Sequence, residues 1–185
     1  MILGEAQILG QVKGALASAA EAGTVGPVLD RAFRGAATAG KRVRTETGLA
    51  RGAVSVAHAA VELARRVFGD LRGLRAMVLG AGEMSKVTAR LLTGAGVASI
   101  FVANRTFERA QALAEELGGE AIHFEELHKH VGKADMVICS TAAPHPVVRL
   151  EMMRPLAAAR HGRPLLLVDI AMPRDVEAAV GDLDG

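Results

Sequence analysis

The stretch AMVLGAGEMSKVTARLL (76–92) constrains the fold more than any other part of this chain of 185 residues. A short apolar run (76–80) enters the turn Gly80-Ala81-Gly82-Glu83-Met84-Ser85, and a helical pattern follows at once. A strand that turns on glycines directly into a helix opens a parallel α/β unit, and that context makes the glycine pattern informative. Gly80 permits the tight turn, and Gly82 lets the backbone approach a pyrophosphate held at the helix N-terminus. Ser85 takes the third position of the pattern and is small enough for close helix–sheet packing. The competing reading is a turn that only permits close packing.

The same alternation continues to the end of the chain. Strand SIFVAN (99–104) precedes a helix over 107–117, a short strand over 120–124 and a helix over 125–132. Strand DMVICS (135–140), a Pro-rich loop, a helix over 149–160 and strand PLLLVDI (164–170) follow. Apolar strands alternating with helices are buried on both faces, which predicts a doubly wound parallel sheet of the Rossmann type.

Residues 1–66 read instead as helical. Residues 5–23 place Ile8, Leu9, Val12, Leu16 and Ala19 on one helix face, and Gly23 with GTVGP ends the run. A second helical stretch covers 28–47 and closes in the basic segment KRVRTE; a third covers 52–71, with Val54, Ala57, Val61, Leu63, Ala64 and Val67 apolar. The expected division is a helical segment over 1–47 and a nucleotide-binding domain over 48–185.

Composition narrows the function classes. Trp and Tyr are absent and Phe numbers five, so a stacking platform for single-stranded nucleic acid is not expected. A single cysteine, Cys139, excludes a disulfide framework and a cysteine-based zinc site, and suits a reducing cytoplasm. No apolar run reaches about 18 residues, and the N-terminal segment with its early Glu5 does not suit a signal peptide. No membrane association is therefore expected.

A dinucleotide fold usually carries an acid for the adenosine ribose about 20 residues beyond the glycines, at the end of the second strand. Here Asn104, Arg105 and Thr106 occupy that place. An aspartate would repel a 2′-phosphate, whereas Arg105 can pair with it and stack on adenine. Asn104 and Thr106 offer further donors, although Thr106 equally suits a helix cap. The pattern calls for NADPH rather than NADH.

At the end of the fourth strand, Ser140, Thr141 and Ala142 are expected to line the nicotinamide side of the cleft. Cys139 then faces the opposite way, as a buried structural thiol. His145, between prolines, is either a ligand contact or part of a rigid turn. Asp169 and Asp175 are conceivable acids, with Asp175 better suited to capping or to pairing with Arg174. The histidines lack metal-ligand spacing, and KRVRTE is either a phosphate contact or a solvated basic stretch.

Taken in order, MILGEAQILGQVK, GKRVRTET, GAVSVAHAAVELA, GAGEMS, VANRTFERA, STAAPHPV and LLLVDIAMPRDVE resemble the glutamyl-tRNA reductase family across nearly the whole chain. The glycine and Asn-Arg-Thr blocks are shared with shikimate dehydrogenase-like domains. The resemblance implies that a cysteine thiolate attacks the ester of glutamyl-tRNA and that NADPH reduces the thioester to glutamate-1-semialdehyde, the first step of tetrapyrrole synthesis. It implies that Glu5, Ala6, Gln7 and Gln11 contact substrate and that Gly80 to Ser85 form the NADPH loop, with Ser85 departing from the commoner glycine. Gln7 and Gln11 also share a helix face by spacing alone. A homodimeric parent enzyme follows from the same resemblance, with glutamate-1-semialdehyde aminomutase as a candidate partner. The family's Ser-Thr-Cys-Asn-Arg motif and its long dimerisation helix have no counterpart here, so the chain is expected to be the end of the catalytic domain plus the NADPH domain. Two alternatives stand beside this one: a shikimate or quinate dehydrogenase-like oxidoreductase, and a non-catalytic NADP-binding module.

Overall fold

The computed structural model describes residues 6–47 and 56–185. Helices α1 (Ala6–Glu21), α2 (Pro27–Glu46) and α3 (Val56–Phe68) lead into β1 (Arg75–Leu79), α4 (Glu83–Gly94) and β2 (Ser99–Ala103). Then follow α5 (Phe107–Leu117), β3 (Glu120–Ile122), α6 (Leu127–Val131), β4 (Met136–Cys139), α7 (Leu150–Ala159) and β5 (Leu166–Asp169). The contacts divide the chain into one unit ending at Val56 and a second over Ala57–Gly185.

In the first unit α1 and α2 pack on one another, and Leu9 lies where a side chain at Gly40 would otherwise stand. Leu9, Val12, Leu16 and Ala19 are half-buried by this contact, as the spacing predicts, while Ile8 remains exposed. No described residue of α2 is buried. Two helices alone have too little surface between them to enclose a core.

The second unit is a five-stranded sheet in the order β3-β2-β1-β4-β5, with every neighbouring pair parallel. Strand periodicity divides β1 between two cores. Ala76 and Val78 pack with Ala60, Val61 and Ala64 of α3, Ala89 and Leu92 of α4, and Ala110 and Leu113 of α5. Met77 and Leu79 face the other way, against Leu127 and Val131 of α6 and Met153 of α7. Both layers bury the strands, which is why β1 and β4 read as unbroken apolar runs. Of the apolar residues of α3, Ala57, Val61 and Ala64 are buried and Leu63 and Val67 are exposed, because the sheet covers only the alanine-lined face; Val54 lies outside the described residues. The expected third strand is shorter than predicted, since Phe124–Glu126 form a single 3₁₀ turn ahead of α6.

Among the described residues, no helix is long and apolar enough to cross a membrane, and no cluster of His, Cys, Asp or Glu is placed to hold a metal.

The two faces of α4 should respond differently to truncation. Leu92 is fully buried between helix and sheet, so Leu92→Ala should cost about 2–5 kcal/mol in urea unfolding. Val87 on the same helix is 37% exposed, and Val87→Ala should change stability by less than about 1 kcal/mol.

Candidate nucleotide site

The site is organised by the turn after β1. The Gly80 amide donates to the carbonyl of Ala103 at 2.8 Å, while the Ser140 amide donates to the carbonyl of Leu79 at 2.9 Å. The ends of β2 and β4 are thereby drawn to either side of the turn. Gly80 has φ +103°, and a Cβ there would collide with the Ser140 carbonyl and stand 3.1 Å from the Ser85 hydroxyl. Only glycine fits.

Gly82 differs. Its φ is −78°, any residue's backbone, and a Cβ there would meet nothing within 4 Å. The space above it is open. Gly82 is also the N-cap of α4, and no side chain caps that helix, so the positive end of twelve aligned peptides faces the opening. Ser85 is fully buried and its Oγ has no hydrogen-bond partner. Its small side chain serves the close packing the sequence suggested, and the hydroxyl remains a spare donor beneath the turn. Ala81 packs against the core, Met84 is half-buried, and Glu83 is exposed and pairs with Lys86 at 3.0 Å. An open cradle, an uncapped helix and an orphan hydroxyl together fit a dinucleotide pyrophosphate.

At the end of β2, the Asn104 side-chain amide donates to the carbonyl of Thr106 at 2.9 Å and braces the turn into α5. Thr106 holds the N-cap position, yet its hydroxyl makes no capping bond, so the capping alternative is not the one realised by the side chain. Arg105 is exposed. A cleft of about 470 Å³ opens between this corner and the loop after β4. Asn104, Arg105, Thr106, Thr141 and Ala142, all predicted, line it together, whereas Ser140 and the Gly80–Ser85 turn do not. His145 also lines the cleft.

Among the lining residues that escaped the sequence reading are Arg109, Phe124 and Arg149. Arg109 lies in the first turn of α5, four residues after Arg105. Phe124 and Arg149 reach the cleft through topology alone. No Asp or Glu is among the lining residues.

The far wall of the cleft corrects several assignments. Asp175 is completely buried and does not pair with Arg174. It accepts hydrogen bonds from the Thr141 amide at 2.7 Å and from the Thr141 hydroxyl. Thr141 therefore lines the cleft with its hydroxyl already engaged. Asp169 accepts from the amides of Ala171 and Val176, both at 3.0 Å, so it too holds backbone rather than standing as a free acid. Cys139 is buried as predicted, and burial pushes its thiol well up, with the charges of Asp169 and Asp175 adding to the effect. Such a thiol stays protonated and unreactive.

Of the residues expected to contact substrate, Glu5 lies outside the described residues. Ala6 and Gln7 open α1, and Gln11 is exposed on it. In the basic segment at the end of α2, Arg42 pairs with Glu46 at 3.0 Å.

Residues 62–185 match the family model described as shikimate / quinate 5-dehydrogenase, and residues 1–47 match that of the glutamyl-tRNA reductase N-terminal domain. The glutamyl-tRNA reductase of Pelotomaculum thermopropionicum is 53% identical over 185 residues, covering the whole of this chain and 42% of that protein. That of Desulforudis audaxviator is 50% identical over the same span, again 42% of its length. The solved glutamyl-tRNA reductase of Methanopyrus kandleri is 48% identical, with a TM-score of 0.68 over all of this chain and 46% of that one. The chain thus spans less than half the length of the relatives it matches. Through the match of residues 1–47 and through relatives that share about half of its residues along its whole length, the chain belongs to the glutamyl-tRNA reductase family.

Proposed function

We propose that this chain is the cofactor-binding part of a glutamyl-tRNA reductase, holding NADPH for reduction of glutamyl-tRNA to glutamate-1-semialdehyde in the cytoplasm. The observation that carries the cofactor choice is the corner after β2. Where an NAD-binding sheet places an acid, this one presents Arg105, with Arg109 one turn further along the same cleft and no carboxylate among the lining residues. A 2′-phosphate gains two guanidinium partners there, while an unphosphorylated ribose loses its usual acceptor.

When bound, NADPH supplies the hydride; the chain supplies position. In this reading the open backbone at Gly82 and the first turn of α4 hold the pyrophosphate, with the Ser85 hydroxyl as a further donor. Arg105 and Arg109 fix the adenosine end over β2. The loop after β4, which the Asp175–Thr141 bonds keep in one shape, would hold the nicotinamide end. Cys139 is not the group that accepts glutamate, because its thiol is sealed within the core. Gln11 and its neighbours on α1 are the proposed substrate contacts, and the aminomutase that uses the semialdehyde is the proposed downstream partner of a dimeric parent enzyme. The match of residues 1–47 to a glutamyl-tRNA reductase domain favours this reading over a shikimate dehydrogenase-like one.

Calorimetric titration with both cofactors tests the proposal. The chain should bind NADPH much more tightly than NADH, and Arg105→Ala should weaken NADPH roughly 10- to 150-fold while sparing NADH. Equal affinities in the unsubstituted chain would refute it.

The two glycines should separate fold from binding. The Cβ that Gly82→Val adds meets nothing within 4 Å in the fold, yet the side chain fills the cradle, so the melting temperature without ligand should stay near that of the parent and the rise with NADPH should vanish. Gly80→Ala should be destabilised by about 1–3 kcal/mol from its backbone conformation alone, with the Ser140 collision added. A Gly82→Val chain that keeps its ligand-induced shift would remove the pyrophosphate assignment.

A further inference from the structure

We infer that Arg149 is a third cation for the 2′-phosphate end of the cofactor, closing the cleft from the wall opposite Arg105 and Arg109. The inference rests on the NADPH reading above and adds a specificity residue to it. Arg105 and Arg109 come from the β2–α5 corner. Arg149 belongs to a different element, the residue that opens α7, yet it lines the same cleft of about 470 Å³.

Its backbone is held in place. Val147 and Val148 donate their amides to the Asp175 carbonyl at 2.7 and 2.9 Å, and the Glu177 amide donates to the Val148 carbonyl at 3.0 Å. The Leu150 amide donates to the Glu177 carboxylate at 2.8 Å, and Val148 is fully buried. The residues on either side of Arg149 are therefore tied down, and only its side chain is left to adjust. The Nε donates to the Pro146 carbonyl at 3.3 Å, which folds the guanidinium back along the loop that forms this wall.

The charge is also available. The carboxylate paired with Arg149 is that of Glu151, 3.9 Å away and 82% exposed. By contrast, Arg34 and Arg90 sit 2.8 and 2.6 Å from their acids. An ion pair that long and that exposed is weak, and an incoming dianion competes with it easily. A phosphate monoester near neutral pH carries close to two charges and three acceptor oxygens. Two arginines on one wall satisfy one side of it, and a third across the cleft engages the oxygens they leave.

The test compares the unsubstituted chain with Arg149→Ala and Arg149→Gln by calorimetric titration against NADPH, NADH and 2′-AMP. Glutamine retains a donor for the Pro146 carbonyl, so it separates loss of charge from loss of the loop contact. Both variants should bind NADPH and 2′-AMP about 3- to 10-fold more weakly, between the effect of an exposed ion pair and that of a charge-assisted bond, with NADH altered less than about twofold. The dependence of NADPH affinity on salt should also flatten. Unchanged NADPH affinity, or equal losses for NADPH and NADH, would overturn the role of Arg149 while leaving the NADPH reading intact. An unsubstituted chain without preference for NADPH or affinity for 2′-AMP would overturn both.

Discussion

The packing of Gly80 between the ends of two strands is the constraint on which the rest of this unit depends. Its amide reaches the Ala103 carbonyl, and the Ser140 carbonyl stands where a Cβ would be. With φ at +103° the chain leaves β1 and enters α4 within a few residues. That geometry sets three features at one edge of the sheet: the open N-terminus of α4, the Asn104–Thr106 corner and the loop that begins at Ser140. Gly82 contributes nothing to this packing. The division is informative, because a glycine the fold does not require is explained by what must approach it.

The wall formed after β4 and β5 depends on carboxylates that hold backbone amides and a hydroxyl of neighbouring loops. Asp169 holds the amides of Ala171 and Val176, Asp175 holds Thr141, and Glu177 holds the first amide of α7. Each carboxylate is matched to N–H or O–H donors, so the burial of Asp175 is tolerated and the loops are tied together. The same arrangement leaves the cleft itself lined by arginines and a histidine without an opposing acid, which is the electrostatic setting a phosphate needs. A second cavity of about 250 Å³, beside Met153, Leu165 and Val180, has a different character. Its Arg160 has donors committed to the carbonyls of Gly132 and Ala134, and Asp184 lines the same cavity.

Much of this was legible in the order of residues. Continuous apolar runs mark β1 and β4 because both faces of the sheet are covered, and the glycine turn marks the ligand edge. Arg105 is legible because its neighbours occupy a position whose usual occupant is known from the chemistry of ribose. Asp175 was misread, since nothing local reveals that a segment 34 residues away supplies its donors. Leu63 and Val67 are apolar yet exposed for a related reason: apolar spacing shows which residues a helix can bury, and the partner decides which it does. Phe124 and Arg149 reach the cleft by strand order, which spacing along the chain does not encode.

The central claim is that one edge, formed by the ends of β1, β2 and β4, binds the whole dinucleotide. Amide chemical-shift mapping during NADPH titration tests it residue by residue. The largest changes should fall on Gly82 to Ser85, Asn104 to Thr106 with Arg109, and Thr141 to His145, with Arg160 to Leu167 undisturbed. Shifts concentrated at Arg160, Leu165 and Leu183, with a silent glycine turn, would contradict the account.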